Sequence, residues 1–225
     1  MLEEIKKMPK IVLHLHLDGS VKLSTALKLS NLTMSEVQEQ MVAGDKCPNL
    51  TEYLTKFDLP ISLMQTKNNL KLIARELGEN LKKENVIYAE IRFAPIFHTR
   101  GGLSCDEVVE AVLDGLSEVP MVKTNLILCF MRGLDLESNL STLKTARKYF
   151  KKGVCALDLA GDELKYPLQD YQTLLKQVGN IPLTIHAGET FKAQAVKQAI
   201  AMGAQRIGHG IKAINDEETL DMIKK

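Results

Sequence analysis

The apolar positions of this chain follow two periods in turn. Short β-rich runs recur at 11–17, 86–93, 125–131, 154–160, 182–186 and 206–211. Between most of them the apolar residues fall at helical spacing. Leu70, Ile73, Ala74, Leu77 and Leu81 share one helix face and predict an amphipathic helix over 70–81. Ser104-x-x-Glu107 is a capping box before Val108, Val109, Ala111, Val112 and Leu116. Leu140, Leu143 and Ala146 mark a third helix, and Ala193, Val196, Ile200 and Ala201 a fourth. Asn215 is expected to cap a last helix running to Lys225.

Strands alternating with helices at this spacing predict right-handed βαβ units and a parallel sheet. A doubly wound sheet would show a Gly-rich phosphate loop after its first strand, where this chain has HLHLDGS. In a (β/α)8 barrel the active residues gather at the carboxyl ends of several strands. His14 and His16, Gly161, His186 and His209 are distributed in that way. The expected fold is therefore α/β, a (β/α)8 TIM-type barrel with about six of its eight strands in this chain. A single domain over 1–225 is expected, with a helical insertion at about 19–85. The insertion has helical patterns after Ser24, after Thr33 (Thr33-x-x-Glu36) and around 53–57, and its place beside the first strand end reads as a lid.

Composition narrows the function. The net charge of +1, with no dense Lys/Arg tract, gives no field that would attract nucleic acid or an anionic membrane. No apolar run reaches the length of a membrane helix. The start, Met1 to Lys7, has no hydrophobic segment of a signal peptide. Cys47, Cys105, Cys129 and Cys155 form no C-x-x-C, so neither a zinc ribbon nor a disulfide framework is expected. Cys129 and Cys155 read as buried thiols, and the compartment as a reducing cytoplasm. The oligomeric state is not set by the sequence.

Four of the five histidines lie in HLHLDG at 14–19, HAGE at 186–189 and GHG at 208–210. His14 and His16 are two apart on a strand and point to one face. Two neutral imidazoles so placed can hold a divalent metal at about 2.0–2.1 Å; the plainer reading is a pair of half-buried surface histidines. His186 closes a strand and is a candidate third ligand. Glu189 stands near enough to shuttle protons without binding the metal, or it simply favours the start of the next helix. His209, between two glycines, orients water or stabilises charge, or is a satisfied core histidine. His98 reads as a surface or loop residue. Glu90 and Arg92 share a face and suggest a buried ion pair, with Asp158 a possible partner. The amide of Gly161 is available to a substrate.

Taken together, HLHLDGS, YAEIRFAP, LDLAGDE, TIHAGE and RIGHG resemble, in order and spacing, the adenosine deaminase family of metal-dependent hydrolases, from Pro9 to about Ile211. The resemblance implies a (β/α)8 barrel with one Zn2+ per chain that deaminates the purine 6-position of a small-molecule nucleoside. It implies His14, His16 and His186 as zinc ligands, Glu189 as the group that protonates purine N1, and His209 as the group that orients the water. It also implies Asp18 and His16 near the ribose 5′-hydroxyl and Gly161 near purine N3. The family's Asp-Asp pair, at the end of an eighth strand, has no counterpart here. The natural protein is expected to continue past Lys225, and without that pair zinc would be held less tightly and turnover would be poor. Alternatives are a deaminase of adenine or another 6-aminopurine, a non-catalytic zinc- or purine-binding remnant, and a His-x-His phosphoesterase.

Overall fold

All six β-rich runs form strands, because β-branched and other apolar residues suit a pleated surface covered by helices. They are β1 (Lys10–His16), β2 (Val86–Phe93), β3 (Lys123–Met131), β4 (Val154–Ala160), β5 (Leu183–Ala187) and β6 (Arg206–His209). The computed structural model describes residues 2–44 and 46–224. The chain divides into two units, Met1–Leu126 and Ile127–Lys225, with the boundary inside β3.

In the first unit β1 pairs in parallel with β2, which sets His16 opposite Arg92. Helices α1 (Leu2–Lys7), α2 (Leu23–Leu29), α3 (Met34–Met41), α4 (Leu50–Leu54), α5 (Asp58–Leu63), α6 (Lys67–Lys83) and α7 (Cys105–Ser117) belong to this unit. The capping boxes at Thr33/Glu36 and Ser104/Glu107 both form, so α3 and α7 start where side chains satisfy their orphan amides. Helices α6 and α7 pack closely at Gly115, where a Cβ would come within 2.3 Å of the Lys71 carbonyl oxygen. Only glycine permits that approach.

In the second unit β5 pairs in parallel with β4 and β6, placing Asp158 opposite Thr184 and Ala187 opposite His209. Its helices are α8 (Leu136–Tyr149), α9 (Gln172–Leu175), α10 (Ala193–Ala201) and α11 (Glu217–Ile223). The strand order is sequential, β1-β2-β3-β4-β5-β6. Parallel strands in this order, joined by helical crossovers, are the α/β barrel arrangement, with six strands of the eight in this chain.

Four expectations are corrected at residue level. The last strand stops at His209, because His209 and Gly210 both take positive φ (68° and 67°) and turn the chain into a 3-10 helix, Ile211–Asn215. Asp216, not Asn215, caps α11 by accepting from the Thr219 amide at 2.8 Å; the predicted terminus of that helix, Lys225, lies outside the described residues. Cys129 is buried as expected, but Cys155 is only partly so. His98 is not a surface residue. It is fully buried in a 3-10 turn, Pro95–His98, with its ring 5.8 Å from that of Phe93.

Burial pushes the His98 imidazole down to about 4; the Arg100 charge adds to this and the Met64 backbone opposes it. Unfolded, a histidine titrates near 6.5. Between those values the unfolded chain binds the extra proton, so stability falls as pH drops from about 6.5 toward about 4. The expected loss reaches about 3 kcal/mol at the acid end of that window. Urea denaturation as a function of pH checks it: His98→Gln should flatten the acid slope, and an unchanged slope would remove His98 as its cause.

Candidate active site

The strand ends carry the candidate chemistry. In the first unit His14 and His16 project from one face of β1, with their Nε2 atoms 3.3 Å apart. Two ligands of a tetrahedral zinc, each about 2.0–2.1 Å from the ion, stand roughly 3.3–3.4 Å apart, so this pair fits two corners of such a site. The ring of His16 also meets the ring of Phe57 edge-on at 6.2 Å.

The backbone that carries these two rings is held by Arg92. Its guanidinium donates to the Leu13 carbonyl at 2.8 Å, and its own carbonyl accepts from the Leu17 amide at 2.9 Å. Arg92 and Glu90 are both buried, and the Glu90 carboxylate accepts from the Tyr88 hydroxyl at 3.0 Å. Beyond His16 the chain turns through a 3-10 helix, Asp18–Ser20. Asp18 is buried there, and burial pushes its carboxyl up to about 6 against the pull of the Gly19 amide. Asp18 also lines a cavity of about 240 Å³ with Val21, Met41, Tyr53, Phe57 and Pro60.

In the second unit His186 is buried at the end of β5, and its Nδ1 lies 2.9 Å from Asp158 Oδ2 on β4. The carboxylate behind Nδ1 fixes the ring's orientation and leaves Nε2 as the atom it can offer to a metal. The Cys129 thiol donates to the same Asp158 oxygen at 3.7 Å. Asp158, expected as a partner for Glu90 and Arg92, stands behind His186. The available signal was a charge in an otherwise apolar strand, which had to find a partner.

His209 ends β6 beside β5, with its ring centroid 5.1 Å from that of His186. Its Nε2 is 3.5 Å from Glu189 Oε2, and both side chains are partly exposed. Burial pushes the Glu189 carboxyl above the ordinary range; the His186 charge opposes this and the Glu163 charge adds to it. Gly161 follows β4 at φ 107°, where a Cβ would press on Arg132 at 3.1 Å. Thus the first unit brings His14 and His16 together beside Asp18, and the second brings together His186, Glu189 and His209.

A family model described as adenosine deaminase matches residues 9–225. An adenosine deaminase of Clostridium perfringens (strain ATCC 13124) is 40% identical over 97% of this chain and 70% of its own length. The crystal structure of the Arabidopsis N6-mAMP deaminase superposes with a TM-score of 0.85 at 28% identity, covering 99% of this chain and 71% of that one. The adenine deaminase of Arthrobacter aurescens shares the fold, with a TM-score of 0.82 at 22% identity over 95% of this chain and 68% of its own.

Removing the carboxylate behind His186 tests that ring as a metal ligand. Asp158→Ala is expected to weaken zinc binding about 10–100-fold, measured by competition with a chromophoric chelator. Equal affinity in the variant would show that Asp158 does not support a ligand.

Proposed function

The chain belongs to the adenosine deaminase family, and from that membership we propose that it hydrolyses adenosine to inosine and ammonia with one Zn2+, held by His14, His16 and His186. Each of the three offers a ring nitrogen, a donor that zinc favours. The 3.3 Å between the first two, and the carboxylate behind the third, support the set. When bound, the cation supplies Lewis acidity that brings the pKa of its water toward about 7.

The setting of Glu189 carries the reading. A partly buried carboxyl, pushed upward by burial and 3.5 Å from an imidazole, is placed to take up a proton and hand it on. In this reading Glu189 delivers that proton to purine N1, which makes C6 electrophilic. His209 orients the water that adds to C6. The bond from C6 to the amino nitrogen then breaks, and the nitrogen leaves as ammonia with a proton returned to it. Gly161 offers its amide to purine N3, and Asp18 with His16 receives the ribose 5′-hydroxyl.

The cavity beside Asp18 has both an acid and a base on its walls, Asp18 and Lys56, among apolar side chains, and Asp18 would accept from a neutral ribose hydroxyl. We read the helical segment 19–85, which builds most of those walls, as a lid within a single barrel domain over 1–225. Among the described residues no helix is long and apolar enough to cross a membrane. The four cysteines are free thiols, which suits a reducing cytoplasm.

Ammonia release from adenosine, with added zinc and with a chelator, tests the reaction. Glu189→Gln should keep its zinc and turn over at least about 100-fold more slowly; near-normal turnover would remove Glu189 from the role. His14→Ala should lose zinc by elemental analysis, and full occupancy would remove His14 from the ligand set.

A further inference from the structure

The turn that carries Glu189 is folded around one buried side chain that the reaction above does not use. Glu163, 7% exposed, lies two residues beyond Gly161. Its Oε2 accepts from the Gly188 amide at 2.9 Å. Its Oε1 accepts from the amides of Thr190 and Phe191, at 2.5 and 2.7 Å, and from the Thr190 hydroxyl at 3.2 Å. Arg132, 6% exposed, completes the frame by donating to the His186 carbonyl and to the Tyr166 carbonyl, each at 3.0 Å.

The chemistry of this frame is specific. Past the end of β5 the amides of 188, 190 and 191 have no strand to pair with, yet they face inward. A carboxylate is the one side-chain group with about four acceptor positions and no donor. Glu163 accepts four hydrogen bonds from the turn, three at Oε1 and one at Oε2. The two amides it grips at Gly188 and Thr190 flank Glu189 on both sides.

We propose that Glu163, with Arg132, is a positioning residue for Glu189, locking the 188–191 turn so that the Glu189 carboxyl is held against His209. The inference rests on the reading of Glu189 as the proton carrier. The charge of Glu163 also contributes to the upward shift of the Glu189 carboxyl, so one side chain sets both its place and part of its environment.

The test uses the full chain as wild type, Glu163→Ala and Glu163→Gln. Glutamine keeps one carbonyl acceptor but turns an N–H donor toward an amide, so it should behave between the other two. Amide hydrogen exchange at Gly188, Thr190 and Phe191 should quicken at least about tenfold in Glu163→Ala, as loss of bonds to a charged acceptor implies. Exchange within β4 should stay as in wild type. The nuclear Overhauser contact between Glu189 and the His209 ring should weaken in step. With adenosine, kcat should fall about 10–100-fold, since small misplacement of a reacting group is costly, while KM stays within about threefold, because substrate contacts are untouched. Protected turn amides and an intact Glu189–His209 contact in Glu163→Ala would overturn the proposal, as would a rise in KM alone. If Glu163→Ala loses protection in β4 as well, Glu163→Gln decides by the same readouts. A wild-type chain that releases no ammonia would count against the deaminase reading alone, because the exchange and contact measurements need no turnover.

Discussion

A parallel strand loses its hydrogen-bonding partners at its carboxyl end, and this is where the candidate functional side chains of this protein stand. Backbone groups buried there must be satisfied by something other than a neighbouring strand. Both units use buried charged side chains from another strand or the loop after one. Arg92, on β2, takes the Leu13 carbonyl just before His14. Arg132, just past β3, takes the carbonyl of His186 itself, and Glu163 takes the amides that follow it. The imidazoles thus inherit their positions from a backbone fixed by charge-assisted bonds, which are shorter and stronger than neutral ones.

Burial of so many charged groups has consequences for proton chemistry. Desolvation disfavours whichever form is charged, so it moves acids up and bases down. Asp18 rises to about 6 and Glu189 rises as well, whereas His98 falls to about 4. The cause is shared but the settings differ. His98 is fully enclosed beside Phe93, and its shift bears on stability. Glu189 is only partly enclosed and faces His209, so its carboxyl stays accessible.

The strands and the longer helices were legible because their signals are local. Helix α6 follows from apolar spacing, and α3 and α7 from capping boxes four residues long. The pairing of His14 with His16 was legible too, since a two-residue step on a strand fixes a common face. The roles of Asp158, Arg132 and Glu163 were not. Glu163 sits in the polar run Gly161-Asp162-Glu163, which reads as a solvated loop until it is known that the turn after β5 folds onto it. The burial of His98 was hidden because no local motif marks it, although the fold encloses its ring beside Phe93. The exchange of Asn215 for Asp216 as a cap is a one-residue error of the kind that helix boundaries invite.

Two readings left open by the sequence can now be weighed by geometry. An acid just before a helix often serves the helix dipole. Helix α10, however, begins at Ala193 with Lys192 as its N-cap and has no acid in its first turn. Glu189 lies outside that turn and faces His209 instead, which supports a chemical role over a dipole role. His209 in turn occupies φ 68°, a conformation that a residue with a side chain takes only when its surroundings require it. A histidine that merely filled the core would be enclosed, whereas the His209 side chain is partly exposed. The positive φ ends β6 at that residue and leaves the ring partly exposed beside Glu189 and His186, so the backbone conformation, the end of the strand and the meeting of the two side chains follow from one feature.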